Sequence, residues 1–261
     1  MSDSPEHSVT SAHIDHIPAL WVSPDPQPAI ARLVIWLPGL TGTKEAVLPY
    51  LQSFAAAGLV AVSLDPWQHG ERGTESSEEL LRRVFGDFRR HMWPILGQTA
   101  LDVLRVIDWS IAHLGVRPSV LLGGISMGGD IAVAAAGLDR RVALVAAIVS
   151  TPDWLRPGMR SGSDPAAIVD PGTPDAYARF FYDNLNPLTH LEAYAHRPSI
   201  LFACGADDQH VPPDGAQRFQ AALRDRDPSY GEGIRVSLQP GVGHELTDAM
   251  WRECLAWLTE S

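Results

Sequence analysis

The residues best suited to chemistry lie at 124–128, Gly-Ile-Ser-Met-Gly, where one serine stands between two glycines. Apolar residues run into this stretch from Val120, and an alanine-rich, helix-prone stretch follows it to Ala136. A serine raised on a sharp strand-to-helix turn needs glycine two residues before and after it, because larger side chains would collide with neighbouring backbone. The pattern therefore predicts a nucleophile at Ser126, with an ordinary structural turn as the alternative.

A serine nucleophile needs a base to take its proton, and the base needs a carboxylate to orient it. Asp208 follows the apolar stretch 199–204, and His244 follows the apolar stretch 234–238. The carboxyl ends of parallel strands meet at one edge of a sheet, so both side chains are expected beside Ser126. The sequence predicts a catalytic triad in the chain order serine, aspartate, histidine, with Asp207 as a second candidate for the acid.

Two backbone amides are candidates for an oxyanion hole. The amide of Met127 opens the helix after the serine, where the helix dipole favours an anion. The loop 38–44, Pro-Gly-Leu-Thr-Gly-Thr-Lys, leaves an earlier strand and could aim the amide of Leu40 at the same point. The alternative is an ordinary loop whose glycines serve only the turn.

The elements that must position these groups alternate along the chain. Buried strands are predicted at 32–37, 59–64, 119–125, 141–149, 199–204 and 234–238, and helices at 44–57, 99–114 and 245–258. This alternation predicts an α/β fold with a mostly parallel central sheet and helices on both faces. Residues 1–17 are interpreted as a solvated arm or an edge strand.

The alternation breaks between residues 151 and 197, a segment rich in proline, glycine and aromatic residues. A loop this long is usually functional, so we expect a small lid over Ser126. We predict that four aromatic side chains contribute to substrate binding: Trp67, Trp154, Phe181 and Tyr182. Residues 75–97, with several aromatic side chains, are expected either to line the entrance or to pack under a loop.

Composition limits the other choices. The chain has 261 residues, 45% of them hydrophobic, and a net charge of −11. This length fits one domain over 1–261, and the negative charge disfavours nucleic acid or an anionic membrane as partner. The N-terminus lacks the basic start and apolar run of a secretory signal, and no apolar stretch has membrane-spanning length, so a soluble cytoplasmic protein is expected. Cys204 and Cys254 have no metal-binding or redox spacing and are interpreted as buried small hydrophobes.

Five stretches together resemble the α/β-hydrolase superfamily, and more closely the small bacterial esterases related to prolyl oligopeptidases and dienelactone hydrolases. They are residues 38–45, 65–72, 124–129, 205–212 and 243–244. The resemblance implies an α/β-hydrolase fold and maps the acid to Asp208, with Asp207 second and Asp153 a third place that this superfamily uses. Pro38 departs from the histidine that many relatives carry before the oxyanion-loop glycine.

The remaining histidines near these stretches are weaker candidates for the base. His210 is two residues from Asp208 and is interpreted as a surface loop residue. His69 lies in the loop 65–73, which is expected to keep its shape through internal hydrogen bonds, and it lacks an acidic partner at fixed spacing.

The sequence thus predicts a serine hydrolase that cleaves a small carboxylic ester through an acyl-enzyme, without a metal or other cofactor. The alternatives are a peptidase or amidase, a thioesterase, and a non-catalytic binding protein on a hydrolase scaffold. Absence of the propeller domain that restricts peptidase substrates favours esters. The expected partner is a small-molecule ester, and the sequence leaves a homodimer open.

Overall fold

The computed structural model describes residues 8–162, 164, 166–230 and 233–260. These residues contain an eight-stranded sheet in the order β1-β2-β4-β3-β5-β6-β7-β8. The strands are β1 (Val9–Ile14), β2 (Ile17–Val22), β3 (Ala31–Leu37), β4 (Leu59–Leu64), β5 (Val116–Ile125), β6 (Val142–Ile148), β7 (Ser199–Gly205) and β8 (Ile234–Gln239). The mostly parallel α/β sheet predicted from the sequence is confirmed.

Six neighbouring strands, from β4 to β8, run parallel, and β1 and β2 complete one edge as an antiparallel pair. Because β3 lies between β4 and β5, Leu33 is in register with both Val60 and Val120. The strands at the centre are buried on both faces, as parallel sheets covered by crossover helices require. Their carboxyl ends therefore form a single edge where the loops meet.

The helices are α1 (Leu48–Ala56), α2 (Ser77–Gly86), α3 (Phe88–His113), α4 (Met127–Leu138), α5 (Ala176–Leu185), α6 (Asp214–Arg226) and α7 (Asp248–Thr259). Helices α1 and α7 pack on one face of the sheet, where the rings of Trp36, Phe54 and Trp251 lie within 5.4 Å of one another. Helices α3, α4 and α6 cover the other face. Among the described helices, none combines the length and the apolar character needed to cross a bilayer.

Helix α3 begins eleven residues before the predicted start at residue 99, because it continues through Pro94. Proline is normally unfavourable inside a helix, since it removes a backbone donor and crowds the preceding turn. Here Pro94 is buried in the core. Helix α2 was not predicted from the sequence. Ser76 and Glu79 form a capping box at its start.

Much of the predicted lid segment packs into the core, including Trp154 and Met159 in its first half. The half of this segment after residue 175 is core: α5 packs on α3, and Asn186 and Tyr194 are buried. In the earlier half, Arg160 and Ile168 form an isolated antiparallel bridge. The described residues within 159–169 are called the rim below.

Close packing of α3 on α5 makes Gly97 necessary. A Cβ atom at Gly97 would lie 2.6 Å from Phe181 Cγ, whereas one at Gly86, the last residue of α2, would have no neighbour within 4 Å. We expect Gly97→Ala to lower the free energy of unfolding by about 1–3 kcal/mol through overpacking. Gly86→Ala is the matched control and should be neutral or stabilising by up to about 1 kcal/mol, because alanine favours the helix. Urea unfolding of both variants would measure this, and equal effects would contradict the packing described.

Candidate active site

Ser126 occupies a strained turn between the end of β5 and the start of α4. Its backbone has φ 53° and ψ −119°, a conformation that residues other than glycine rarely adopt. A Cβ atom at Gly124 would lie 2.6 Å from the Leu37 carbonyl oxygen, and one at Gly128 would lie 2.6 Å from the Pro38 carbonyl oxygen. Both glycines are therefore required for the close approach of β3 to this turn, as the sequence predicted.

Neighbouring strands hold this turn in place. The amide of Ser126 donates to the Ile148 carbonyl at 2.8 Å, and Ser150 Oγ donates to the Ser126 carbonyl at 2.9 Å. Both partners lie at the carboxyl end of β6. The strain at the serine is thus balanced by hydrogen bonds to the adjacent strand.

His244 and Asp208 complete a hydrogen-bonded line from the serine. Ser126 Oγ lies 3.0 Å from His244 Nε2, and His244 Nδ1 lies 2.7 Å from Asp208 Oδ2. Because a carboxylate accepts at Nδ1, that nitrogen carries a hydrogen and Nε2 is left as the acceptor for the serine proton. The structure brings together all three residues predicted for the triad, in the geometry that general-base catalysis requires.

The surrounding loop fixes Asp208 as the acid. Its side chain is buried, and Oδ1 accepts hydrogen bonds from the amides of His210 at 2.9 Å and Val211 at 2.7 Å. The other two candidates are not in position: Asp207 is exposed, and Asp153 pairs with Arg218 at 2.8 Å. Asp208 is therefore the carboxylate that orients His244.

The loop after β3 lies against the nucleophile. A Cβ atom at Gly39 would lie 3.4 Å from the Ile125 carbonyl oxygen and 3.8 Å from Ser126 Cβ. Within the described residues, neither the Leu40 amide nor the Met127 amide donates a hydrogen bond to the protein. Both amides thus remain available for a substrate oxygen, and their role as an oxyanion hole stays a prediction.

A buried ion cluster fixes the base of this loop. Asp65 accepts from the Lys44 amide at 2.9 Å, from Lys44 Nζ at 3.0 Å and from the Glu71 amide at 2.9 Å. Burial disfavours the charged form of Lys44, but its hydrogen bonds to three carboxylates outweigh that cost and raise its pKa, so it stays charged. The loop 65–73 is thus held by internal hydrogen bonds, as expected, and it anchors Lys44, the last residue of the predicted oxyanion loop.

His210 is part of the site, and not the surface residue that the sequence suggested. Its ring contacts that of His244 edge to face at 4.9 Å, and its Nδ1 donates to the Arg160 carbonyl at 2.8 Å. Burial lowers the pKa of His210 to about 4, so the ring is neutral at neutral pH. His210 therefore ties the rim to the loop that carries Asp208.

A second buried ion pair, between Asp130 and Arg156, was not predicted. Asp130 lies in the first turn of α4, accepts from the Thr151 amide at 2.7 Å and pairs with Arg156, which has a left-handed backbone (φ 45°). Burial raises the pKa of Asp130 against the opposing effect of Arg156. The pair joins the helix behind Ser126 to the chain that enters the rim.

A cleft of about 780 Å³ opens beside His244. Apolar side chains from α2 and the rim form much of its wall, and polar groups surround them: Leu81, Phe85, Ile168 and Val169, with Glu78, Arg82, Asp170 and His210. Both expectations for residues 75–97 are met in part, because Leu81 and Phe85 line the cleft whereas Phe88, Met92 and Trp93 are buried in the core.

The four aromatic residues predicted to bind substrate do not line this cleft. Trp154 and Phe181 are 0% and 3% exposed and belong to the core, so the prediction for them is wrong. Tyr182 stacks on Trp93 with ring centroids 4.4 Å apart and lines a separate depression. Trp67 is half-buried beneath the Arg72 guanidinium, 4.9 Å from its ring. Aromatic composition alone did not distinguish a pocket wall from core packing.

Within the described ranges, no group of three or more histidine, cysteine, aspartate or glutamate side chains could hold a metal ion. Cys204 and Cys254 are free thiols, and both are buried as expected. Burial raises the pKa of the Cys204 thiol to about 12, so it stays protonated.

A model of the prolyl oligopeptidase family matches residues 51–259. The fold is similar to TT1662 from Thermus thermophilus, with a TM-score of 0.73 and 24% identity over 98% of each chain. It is also similar to a puromycin-hydrolyzing peptidase from Mycobacterium tuberculosis, with a TM-score of 0.71 and 19% identity over 97% of this chain and 39% of that one. A candidate dienelactone hydrolase from Klebsiella pneumoniae gives a TM-score of 0.67 and 16% identity, over 97% and 99% of the two chains. No curated protein sequence matches the chain.

The choice of acid can be tested with two aspartate variants. We expect Asp208→Asn to lower kcat by on the order of 10³–10⁴, because the amide would favour the wrong tautomer of His244. Asp153→Asn should leave kcat within about threefold of the parent, since its partner is Arg218. Steady-state ester hydrolysis would measure both, and a larger loss in Asp153→Asn than in Asp208→Asn would contradict the assignment.

The pKa of His210 predicts a pH dependence of stability. A free histidine titrates near pH 6.5, whereas burial lowers the pKa of His210 to about 4. Between these values the unfolded chain binds more protons, so stability falls as the pH falls from about 6.5 to 4. His210→Asn keeps a donor for the Arg160 carbonyl and removes the titration. Between pH 6.5 and 4, His210→Asn should therefore lose about 2–3 kcal/mol less stability than the parent does.

Urea unfolding at a series of pH values would measure this difference. His13→Asn, a change at an exposed side chain, is the control and should follow the parent. Identical pH dependence in His210→Asn and the parent would mean that His210 is not buried in its neutral form.

Proposed function

The chain belongs to the prolyl oligopeptidase family, a family of serine hydrolases, and we propose that it cleaves carboxylic esters of small apolar acids through an acyl-enzyme on Ser126. The observation that carries this proposal is the unbroken line from Ser126 Oγ through His244 to the buried Asp208, with steps of 3.0 and 2.7 Å, next to an open cleft that His244 lines. The rest of the proposal concerns what enters that cleft.

In the first half-reaction, His244 Nε2 takes the proton of Ser126 Oγ as the oxygen attacks the ester carbonyl carbon. The resulting oxyanion accepts hydrogen bonds from the amides of Met127 and Leu40. When the tetrahedral intermediate collapses, the bond to the alkoxy oxygen breaks, and His244 gives its proton to the departing alcohol. Asp208 stabilises the imidazolium that exists between these two proton transfers.

In the second half-reaction, water replaces the alcohol. His244 takes a proton from the water while the water oxygen attacks the acyl carbon. When the second tetrahedral intermediate collapses, the bond from the acyl carbon to Ser126 Oγ breaks, and His244 returns the proton to Ser126 Oγ. The products are a carboxylic acid and an alcohol, and the enzyme regains its starting state. No step requires a group other than water and the residues named.

The lining of the cleft supports an apolar substrate group. Leu81 and Ile168 are 38% and 69% exposed at its wall, and such apolar surface is a typical mark of ligand contact. Phe85 lies deeper, 5.5 Å from the ring of His210. We propose that the acyl chain packs between α2 and the rim, with its carbonyl at Ser126.

A second candidate is amide or peptide cleavage on the same triad. Family membership favours it, and one similar structure is a puromycin-hydrolyzing peptidase. Amides have a poorer leaving group than esters, so proton donation by His244 to the leaving nitrogen would then limit the rate. Comparison of ester and anilide substrates with the same acyl group separates the two functions.

The proposal is tested by hydrolysis of p-nitrophenyl esters of increasing acyl length, with matched p-nitroanilides, by the parent and Ser126→Ala. We expect ester turnover in the parent and a loss in Ser126→Ala on the order of 10⁴ or more, because the nucleophile is removed. Ser119→Ala, at an exposed position in the first half of β5, is the control serine and should retain ester turnover. Equal ester turnover by Ser126→Ala and the parent would contradict the proposal, and anilide turnover exceeding ester turnover would favour the peptidase.

A further inference from the structure

A second depression, of about 330 Å³, lies between the first turns of α3 and α5. Arg89 and Trp93 of α3 form one side, Arg179 and Tyr182 of α5 form the other, and the segment 172–174 closes one end. None of these residues lines the cleft beside His244. The depression is thus a separate feature that the hydrolase mechanism does not use.

The two arginines of this depression lack the carboxylate partners that some other surface arginines have. Arg82, Arg90 and Arg105, for example, each pair with a carboxylate. Arg89 and Arg179 form no ion pair within the described residues, although the chain has 31 acidic residues and only 20 basic ones. Arg89 Nε is moreover buried without a hydrogen-bond partner in that part of the chain. A buried donor without an acceptor is unfavourable. A ligand in the depression could supply the acceptor that Arg89 Nε lacks.

Trp93 and Tyr182 also give the depression a flat aromatic surface and a hydroxyl donor. Tyr182 stacks on Trp93 at 4.4 Å, and the Arg89 guanidinium lies 5.9 Å from the Trp93 ring centroid. Burial raises the pKa of Tyr182, so its hydroxyl stays a donor. Asp183 also borders the depression, and the two arginines outnumber it.

We propose that this depression binds a compact oxyanion, a carboxylate or a phosphate, between Arg89 and Arg179. Guanidinium groups match the planar geometry of such oxyanions and bind them in a bidentate manner. The oxyanion accepts a hydrogen bond from Arg89 Nε, which otherwise has no acceptor in the described part of the chain. It accepts another from the Tyr182 hydroxyl.

The depression is joined to the active site by a short segment of chain. Ile168, Val169 and Asp170 line the cleft beside His244, and residues 172–174 line the depression. Pro171 lies between the two sets, and its carbonyl accepts from the Arg89 amide at 2.9 Å. The bound oxyanion is therefore either the far end of a substrate whose ester lies at Ser126 or a separate molecule that steadies the rim.

The binding step is tested by isothermal titration calorimetry of the full chain with inorganic phosphate and with succinate, at constant ionic strength set by chloride. We expect saturable binding to the parent and a Kd raised about tenfold or more by Arg179→Gln and by Arg89→Gln, because each removes a charged donor. Arg90→Gln, an exposed neighbour of Arg89 that pairs with Asp175, is the matched control and should stay within about twofold of the parent. Arg179 is exposed on α5, so its variant should fold normally, which circular dichroism would verify.

The source of the oxyanion is tested with p-nitrophenyl hydrogen succinate and the p-nitrophenyl ester of monomethyl succinate. If the oxyanion belongs to the substrate, Arg179→Gln raises KM for the first ester and leaves KM for the second unchanged. If it is a separate molecule, added phosphate changes KM for the second ester in the parent and not in Arg179→Gln. The proposal is overturned by the absence of saturable binding, or by binding that both arginine variants retain. Because calorimetry needs no turnover, a catalytically inactive chain would contradict the proposed function and still test this site.

Discussion

The strained backbone at Ser126 is the constraint on which the site depends. The turn is possible only because Gly124 and Gly128 let β3 and the following helix approach within contact distance of the serine backbone. That approach also brings the loop after β3 against the serine, where a Cβ atom at Gly39 would lie 3.8 Å from Ser126 Cβ. A backbone that relaxed to an ordinary turn would separate the nucleophile from His244 and from both amides, so sheet packing maintains an arrangement that local preferences alone would not.

Buried carboxylates hold the loops around the serine in place. Asp65 holds Lys44 at the end of the loop after β3, Asp130 holds Arg156 at the entrance to the rim, and Asp208 orients His244. Each carboxylate also accepts at least one backbone amide, which offsets the cost of removing its charge from water. Loops at the carboxyl edge of a parallel sheet have no regular hydrogen-bond pattern, and these ion pairs replace one. His210 joins the rim to the loop that carries Asp208, so the cleft beside His244 and the triad share one support.

The sequence predicted what depends on local pattern. The buried strands, the glycine pair at Ser126 and the positions of Asp208 and His244 past strand ends follow from short-range rules, and the structure has them. Helix α3 was predicted too short because the apolar spacing was recognised only from residue 99, whereas the helix runs from Phe88 through the buried Pro94. The capping box at Ser76 offered a usable signal for α2, the helix that forms one wall of the cleft. Trp154 and Phe181 were assigned to the pocket because aromatic residues serve core and pocket equally, and only tertiary packing distinguishes them. Partners far apart in sequence, such as Asp130 and Arg156, have no local pattern that could have revealed them.

The central claim is that Ser126 is the nucleophile and that the oxyanion formed on the substrate accepts hydrogen bonds from the amides of Met127 and Leu40. The most direct measurement is a crystal structure of the chain after reaction with an alkyl phosphonate ester, which mimics the tetrahedral intermediate. The account predicts phosphorus bonded to Ser126 Oγ, one phosphoryl oxygen about 3 Å from both amide nitrogens, and His244 still paired with Asp208. A phosphoryl oxygen directed to solvent, or an adduct on another residue with Ser126 unmodified, would contradict it.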